Sequence, residues 1–138
     1  METLVERIAK WIEEEITGVQ DFTLRIVRPK ILDWQVSDFK HGDVIMEFIN
    51  IVPHPALITT TSRAELATWK LYGIIRTLPE NTDADTMLDH MSETIKKVLL
   101  SKSGRACGGL AVSINFPEIF YRDMAGGVVA EMTVQVGF

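Results

Sequence analysis

Two stretches of the chain place their apolar residues on one helical face. Between residues 2 and 17, apolar side chains recur at spacings of one, three and four residues, and mostly glutamates cover the remaining positions. This spacing predicts an amphipathic helix, and Gly18 is typical of a helix end. A second helix is predicted from Thr82 or Asp83, which are good N-caps, to about Leu100, with lysines near its end where cations suit the helix dipole.

Strands are indicated where apolar and polar residues alternate, or where a short apolar run is flanked by turn residues. The predicted strands are residues 22–26, 44–52, 66–78, 110–116 and 128–136, with residues 57–61 as a candidate extension of the sheet. The apolar run over 44–52 predicts a mostly buried strand. Pro29 and Pro117 mark strand ends, because proline cannot donate a ladder hydrogen bond. For residues 62–72 a helix is the open alternative, since Ser62 with Glu65 would form a capping box.

Two segments between the predicted strands fit neither period. Residues 30–43 contain scattered apolar residues and end in a turn signal at 41–43. Residues 117–127 connect the last two strands as a long loop, in which the glycines at 126 and 127 permit the turn. We expect these last two strands to pair as an antiparallel hairpin.

The order of elements indicates the fold class. It runs helix, about three strands, helix and two strands, and helices that do not alternate one for one with strands favour an α+β fold. We therefore predict one α+β domain over residues 1–138, with two main amphipathic helices packed on a mostly antiparallel sheet of about five strands. A chain of 138 residues can bury a core that needs neither disulfides nor a metal.

Charge and cysteine content narrow the functional classes. The formal net charge is −5, and no basic run is present, which disfavours nucleic-acid binding through phosphate neutralisation. The single cysteine excludes an intramolecular disulfide and fits a reducing compartment. No stretch approaches the roughly 20 apolar residues of a membrane helix, and no signal peptide is apparent. We expect a cytoplasmic protein with neither a membrane nor a sequence-specific nucleic acid as partner.

Patterns of catalytic and metal-binding residues are weak. The three histidines, His41, His54 and His90, have neither the i, i+4 spacing nor the His-Glu-x-x-His frame of a zinc site. Cys107 lies in a glycine-rich loop after a helix, whereas phosphate-binding loops precede helices, and we interpret it as a small, inert residue. We predict no catalytic residue, no cofactor, no metal and no enzymatic activity. A small α+β enzyme or ligand-binding domain with a dispersed site is the alternative.

Aromatic residues in the two irregular segments indicate a subunit or partner interface. Trp34 and Phe39 lie in the first segment, and Phe120, Tyr121 and Arg122 lie in the second. Tyrosine, tryptophan, phenylalanine and arginine are enriched where proteins associate. The alternative, that these segments fold back over the core, has equal weight.

Glu131 is a further candidate interface residue, because it lies among apolar neighbours in the last predicted strand. If its side of the sheet faces water, it is an ordinary exposed residue, which is the interpretation we favour. If that side meets another subunit, it needs a partner such as an arginine. The open edges of a five-stranded sheet are another reason for association, and they keep a sheet-edge adaptor as a third functional alternative.

The whole chain is similar in its order of elements to a known family. An N-terminal helix leads into strands with a long segment before the second, followed by a Trp-bearing strand at 65–71, a capped helix to Leu100 and a final hairpin near the C-terminus. This order resembles the tail terminator, or tail completion, proteins of long-tailed phages, including those of Mu-like prophages.

The resemblance implies a structural subunit that forms a homo-oligomeric ring, hexameric in the family, on the head-proximal end of the tail tube. Such a ring stops growth of the tube and joins it to the head, so a tail-tube protein and a head-completion protein are the implied partners. The protein would be in the host cytoplasm during assembly and in the virion tail afterwards. The family has no fixed active-site residues to carry over.

Overall fold

Two helices and a five-stranded sheet make up the computed structural model, which describes residues 2–19, 25–27, 35–53, 65–76, 84–100 and 106–138. The helices are α1 (Leu4–Thr17) and α2 (Ala84–Leu100), and short 3-10 turns cover Val36–Asp38 and Ala106–Gly109. The strands are β1 (Arg25–Val27), β2 (Asp43–Pro53), β3 (Glu65–Arg76), β4 (Ser113–Met124) and β5 (Gly127–Gly137). The predicted α+β class is confirmed.

Helix α1 begins and ends where local chemistry requires. The Thr3 side chain accepts a hydrogen bond from the Glu6 backbone N–H, and the Glu6 carboxylate accepts one from the Thr3 N–H, which satisfies two otherwise unpaired amides. The Gly18 N–H donates to Glu14 O at the other end. Ile8, Ile12 and Ile16 form the buried stripe predicted from their spacing. The predicted N-caps of the second helix, Thr82 and Asp83, lie outside the described residues.

The sheet has the order β1-β2-β3-β5-β4. Its four long strands pair antiparallel, whereas we predicted a mostly antiparallel sheet of about five strands. The remaining strand, the three-residue β1, joins β2 in parallel. β3 confirms the predicted strand rather than the helical alternative in the part of residues 62–72 that the structure describes. The candidate extension at residues 57–61 lies outside the described residues.

The last hairpin differs from the prediction. We expected a strand ending at Pro117 and a loop over 117–127, but β4 continues to Met124, and only two residues connect it to β5. A register shift between Asn115 and Glu118 accommodates the proline, which is tolerated because β4 is an edge strand whose outward N–H groups have no ladder partner. Gly126 supplies the positive φ of +89° that the tight turn requires.

Apolar side chains are buried on both faces of the sheet. The main core lies between the sheet and the two helices and takes every second residue of β5, namely Val128, Ala130, Met132, Val134 and Val136. A smaller cluster on the opposite face contains Val36, Phe39, Ile45, Ile74 and Val129. The described part of the segment 30–43 thus folds back over one end of the sheet.

Gly127 provides a test of this packing. A Cβ at this position would lie 2.4 Å from the carbonyl oxygen of Ile75 and 3.1 Å from Val36 Cγ1, and a backbone oxygen cannot rotate away. We expect Gly127→Ala to lower the free energy of unfolding by about 3 kcal/mol, measured by urea denaturation.

Gly126→Ala is the matched control, because a Cβ there meets nothing within 4 Å. Its only cost is the strain of an alanine in the left-handed backbone conformation, about 1 kcal/mol in the free energy of unfolding. Equal losses for the two variants would contradict the packing described for Gly127.

Candidate interaction surface

Most exposed large apolar side chains of the described chain lie on the two edges of the sheet. β1 pairs only with residues 43–45 of β2, so the rest of β2 forms one edge of the described sheet, and β4 forms the other. Of the nine such side chains, seven belong to these strands: Phe48, Ile49, Ile51 and Val52 on β2, and Phe120, Tyr121 and Met124 on β4. Backbone groups and apolar side chains are therefore available together at both edges.

The exposure of β2 corrects the prediction of a mostly buried strand over 44–52. Only residues 43–46 are buried, while residues 47–53 are exposed. Phe48 contacts the buried Trp69 with ring centroids 5.5 Å apart, yet 47% of its surface remains exposed. A nearly continuous apolar run is typical of a strand covered on both faces. In β2 the run continues beyond the four residues that are buried. The sequence interpretation therefore missed the apolar residues of this edge.

Glu131 lies in the centre of the sheet and is buried, with 5% of its surface exposed. Lys70 on β3 donates from Nζ to Oε1 at 2.9 Å. Arg122 on β4 places Nη2 2.7 Å from Oε2, an ion pair whose angle lies outside hydrogen-bond geometry. The favoured interpretation of an exposed Glu131 was wrong, because long side chains from both neighbouring strands cover it. An arginine does accompany the buried carboxylate, but it comes from the same chain.

Tyr72 extends this charged group toward β2. It is the cross-strand neighbour of Glu131, and its hydroxyl donates to Glu47 Oε2 at 3.4 Å. Burial is the main reason that the pKa of Tyr72 rises to about 12, and the negative charges of Glu47 and Glu131 act in the same direction. Polar side chains therefore connect all four antiparallel strands on the face away from the helices.

Phe120, Tyr121 and Arg122, predicted to lie in a loop, are consecutive residues of the edge strand β4 and point to alternate faces. Phe120 is the cross-strand neighbour of Glu131, so the structure brings Phe120, Arg122 and Glu131 together on the face away from the helices. Tyr121 points toward α2. The residue is 49% exposed, and its hydroxyl is hydrogen-bonded to the helix.

The contact of Tyr121 with α2 is a structural link. Its hydroxyl lies 2.6 Å from Ser92 Oγ and donates to Asp89 Oδ1 at 3.0 Å. Burial is the main reason that the pKa of Tyr121 is raised. The phenol therefore stays protonated at neutral pH and cannot serve as a base for Ser92. The trio fastens the edge strand to the helix layer.

In the described part of the first irregular segment, Phe39 lies in the core rather than on the surface. Phe39 is buried in the smaller cluster, and its carbonyl oxygen accepts a hydrogen bond from Arg76 Nη1 at 2.9 Å. For Phe39 the structure thus agrees with the alternative that the segment folds back over the core. Trp34 lies outside the described residues.

Cys107 is a poor candidate for a nucleophile. Cys107 is buried, and desolvation raises the pKa of its thiol to about 12, so almost no thiolate forms at neutral pH. In the described ranges no three His, Cys, Asp or Glu side chains are grouped as metal ligands, and no helix is long and apolar enough to span a membrane. His54 lies outside these ranges.

A groove of about 490 Å³ lies beside the exposed part of β2, under the first half of α1. Its floor consists of Met46, Phe48 and Trp69, and its wall of Val5 and Ala9. Four charged residues line its rim: Glu2, Glu6, Lys10 and Glu13. Lys10 forms an ion pair with Glu2. The groove is therefore apolar inside and predominantly acidic at its rim.

The chain matches no protein-family model. It also has no significant similarity to a curated protein. Function is therefore inferred from the sheet edges, the groove and the order of elements.

The buried carboxylate of Glu131 can be tested by an isosteric change. Glu131→Gln removes the negative charge and leaves Lys70 and Arg122 without their counter-ion. We expect a loss of about 2 kcal/mol in the free energy of unfolding, less than for a fully buried pair because the two cationic side chains are 36% and 63% exposed.

The matched control is Glu118→Gln, an exposed carboxylate on the same edge strand, for which we expect a change within about 0.5 kcal/mol. Similar stability of both variants in urea denaturation would show that the Glu131 ion pairs do not stabilise the sheet.

Proposed function

We propose that this protein is a structural assembly subunit that forms a homo-oligomeric ring, like the tail terminators of long-tailed phages that its element order resembles. The ring would cap the head-proximal end of a tail tube, stop its growth and join it to the head. Its partners would be a tail-tube protein and a head-completion protein, in the host cytoplasm during assembly and in the virion tail afterwards. The observation that carries the proposal is the pair of apolar sheet edges that no other described strand covers.

The two edges have little of the protection that monomeric sheet proteins use. Such proteins protect their edges with lysines, prolines, bulges or very short strands. β4 has twelve residues, and β2 continues for eight residues beyond its last residue paired with β1. Neither strand contains a lysine, and irregularities occur only near Pro117 and at Ile49. Association with another copy covers both the backbone groups and the apolar side chains.

The difference between the edges favours a ring over a two-fold dimer. A two-fold contact uses the same patch on both subunits, so it would cover one edge and leave the other open. A contact between β2 of one copy and β4 of the next covers both edges with a single type of interface. Because strand direction alternates along β2, β3, β5 and β4, this contact is antiparallel, as in the rest of the long-stranded sheet.

A sheet-edge adaptor is the second candidate, because one open edge is sufficient to bind a strand of a partner protein. An adaptor whose edges bind other proteins, rather than copies of itself, would remain monomeric when purified. An enzyme is the weaker alternative, since burial raises the pKa of the Cys107 thiol to about 12 and leaves almost no thiolate at neutral pH.

Light scattering on the purified protein tests the ring. We expect an assembly whose mass is a multiple of the 15.5 kDa chain, near six copies if the family's ring size applies. A lysine at the edge should block it, so Ile51→Lys should raise the concentration needed for assembly at least about tenfold.

The control is Thr86→Lys, which adds the same charge at an exposed position on α2, outside both edge strands, and should assemble like the unaltered protein. A strict monomer at high concentration, with the unaltered chain, would contradict the ring and favour the adaptor.

A further inference from the structure

We infer that the groove between α1 and β2 of one copy receives the C-terminal turn of α2 from the next copy, with Leu100 in the apolar floor and Lys96 at the acidic rim. The inference rests on the proposed ring and identifies the contact between its helix layers.

The groove suits a basic segment with one apolar side chain. Its rim contains the carboxylates of Glu2, Glu6 and Glu13 and the ammonium of Lys10, which pairs with Glu2. Its floor includes Phe48, nearly half exposed although its ring contacts Trp69. A space of about 490 Å³ lies within the range of ligand pockets and holds several side chains.

The end of α2 has the complementary chemistry. Leu100 is 44% exposed, and Lys96 lies one turn before it. Between Glu93 and Glu118 the chain contains four basic residues and no acidic one. Among the described residues, no carboxylate lies within ion-pair distance of Lys96. A cation beside an exposed leucine is therefore available to a neighbouring copy.

These two patches lie on opposite sides of the subunit. At 100° per residue, Asp89, Lys96 and Leu100 share one flank of α2, and Tyr121 of β4 binds Asp89, so this flank lies toward the β4 edge. The groove lies on the β2 edge. On α1, the side opposite the groove carries Trp11, which lies close to Gly108 in the segment after α2. The contact is therefore heterologous, as a ring requires.

The two patches also lie at the same height along the strands. The groove floor is at the cross-strand row of Phe48, Trp69 and Val134. On α2, Leu100 is eight residues, or about 12 Å, beyond Ser92, which contacts Tyr121.

α2 runs toward the start of β4, because the 3-10 turn at Ala106–Gly109 that follows it contacts both β4 and α1. Four residues back along β4 from Tyr121, about 13 Å, is Pro117, whose bulge lies beside Val134. When two copies meet edge to edge without a vertical shift, Leu100 is level with the groove.

Charge reversal tests the contact in solution. We expect Lys96→Glu to raise the dissociation constant of the assembly at least about tenfold in dilution light scattering at low salt. Lys40→Glu is the matched control, an equal charge change at an exposed position away from both patches, and should leave assembly unchanged. Combining Lys96→Glu with Glu13→Lys should restore most of the lost affinity, which a merely destabilised subunit would not show.

Disulfide trapping tests the geometry. Two variants, one with Val5→Cys and a size tag and one with Leu100→Cys, are mixed and oxidised, and we expect a cross-linked heterodimer. Thr86→Cys replaces Leu100→Cys in the control, at the other end of the same helix, and should not cross-link. The native Cys107 is buried with a raised thiol pKa, so it does not compete.

The outcomes separate this inference from the proposed function. An assembly that forms normally with Lys96→Glu and gives no Val5–Leu100 cross-link would overturn the groove contact and leave the ring intact. A chain that never assembles would overturn the ring, and the groove contact with it. A cross-link as efficient from position 86 as from position 100 would show random collision and also overturn the contact.

Discussion

Burial of β5 on both faces is the constraint on which the rest of the structure depends. One face carries five apolar residues packed under the helices, and the other carries Val129 and the carboxylate of Glu131. A buried carboxylate must be compensated, and its two cations come from β3 and β4. β5 therefore needs a strand on each side, which leaves β2 and β4 to form the edges of the long-stranded sheet.

The same arrangement explains why the edges are exposed. The helices cover the middle of the sheet, and the described part of the first irregular segment covers only one end of the opposite face. Apolar residues at the edges are a liability in a monomer and a contact surface in an assembly. The Tyr121 contacts with α2 hold the β4 edge against the helix layer, so a neighbouring copy would meet a strand that is already positioned.

Local sequence patterns predicted the parts of the fold that depend on local geometry. The alternation over 128–136 identified the residues that face the helices, because side chains alternate across a strand, and the apolar stripe of α1 followed from the helical period. Pro117 was misinterpreted as a strand end because a proline at an edge with a bulge is tolerated, and edge position is a property of the whole sheet.

The candidate surface was less predictable for the same reason. The apolar run of β2 indicates that burying these side chains is favourable, but it does not identify the part of the protein that would cover them. One counter-ion of Glu131 lies 61 residues away in sequence, so no local pattern distinguishes this buried carboxylate from an exposed one. Phe120 and Arg122 were predicted as interface residues in a loop, whereas the structure places them on the edge strand β4, because the loop prediction took Pro117 as the end of the strand.

Amide hydrogen exchange at low and high protein concentration is the sharpest test of the ring, because it reports each edge of the sheet separately. In a ring, residues 47–53 and 113–124 both become protected as concentration rises, while the exchange of β5, already paired on both sides, does not change. Protection that appears on neither edge, or on only one of them, would contradict a ring built from the two different edges of the sheet.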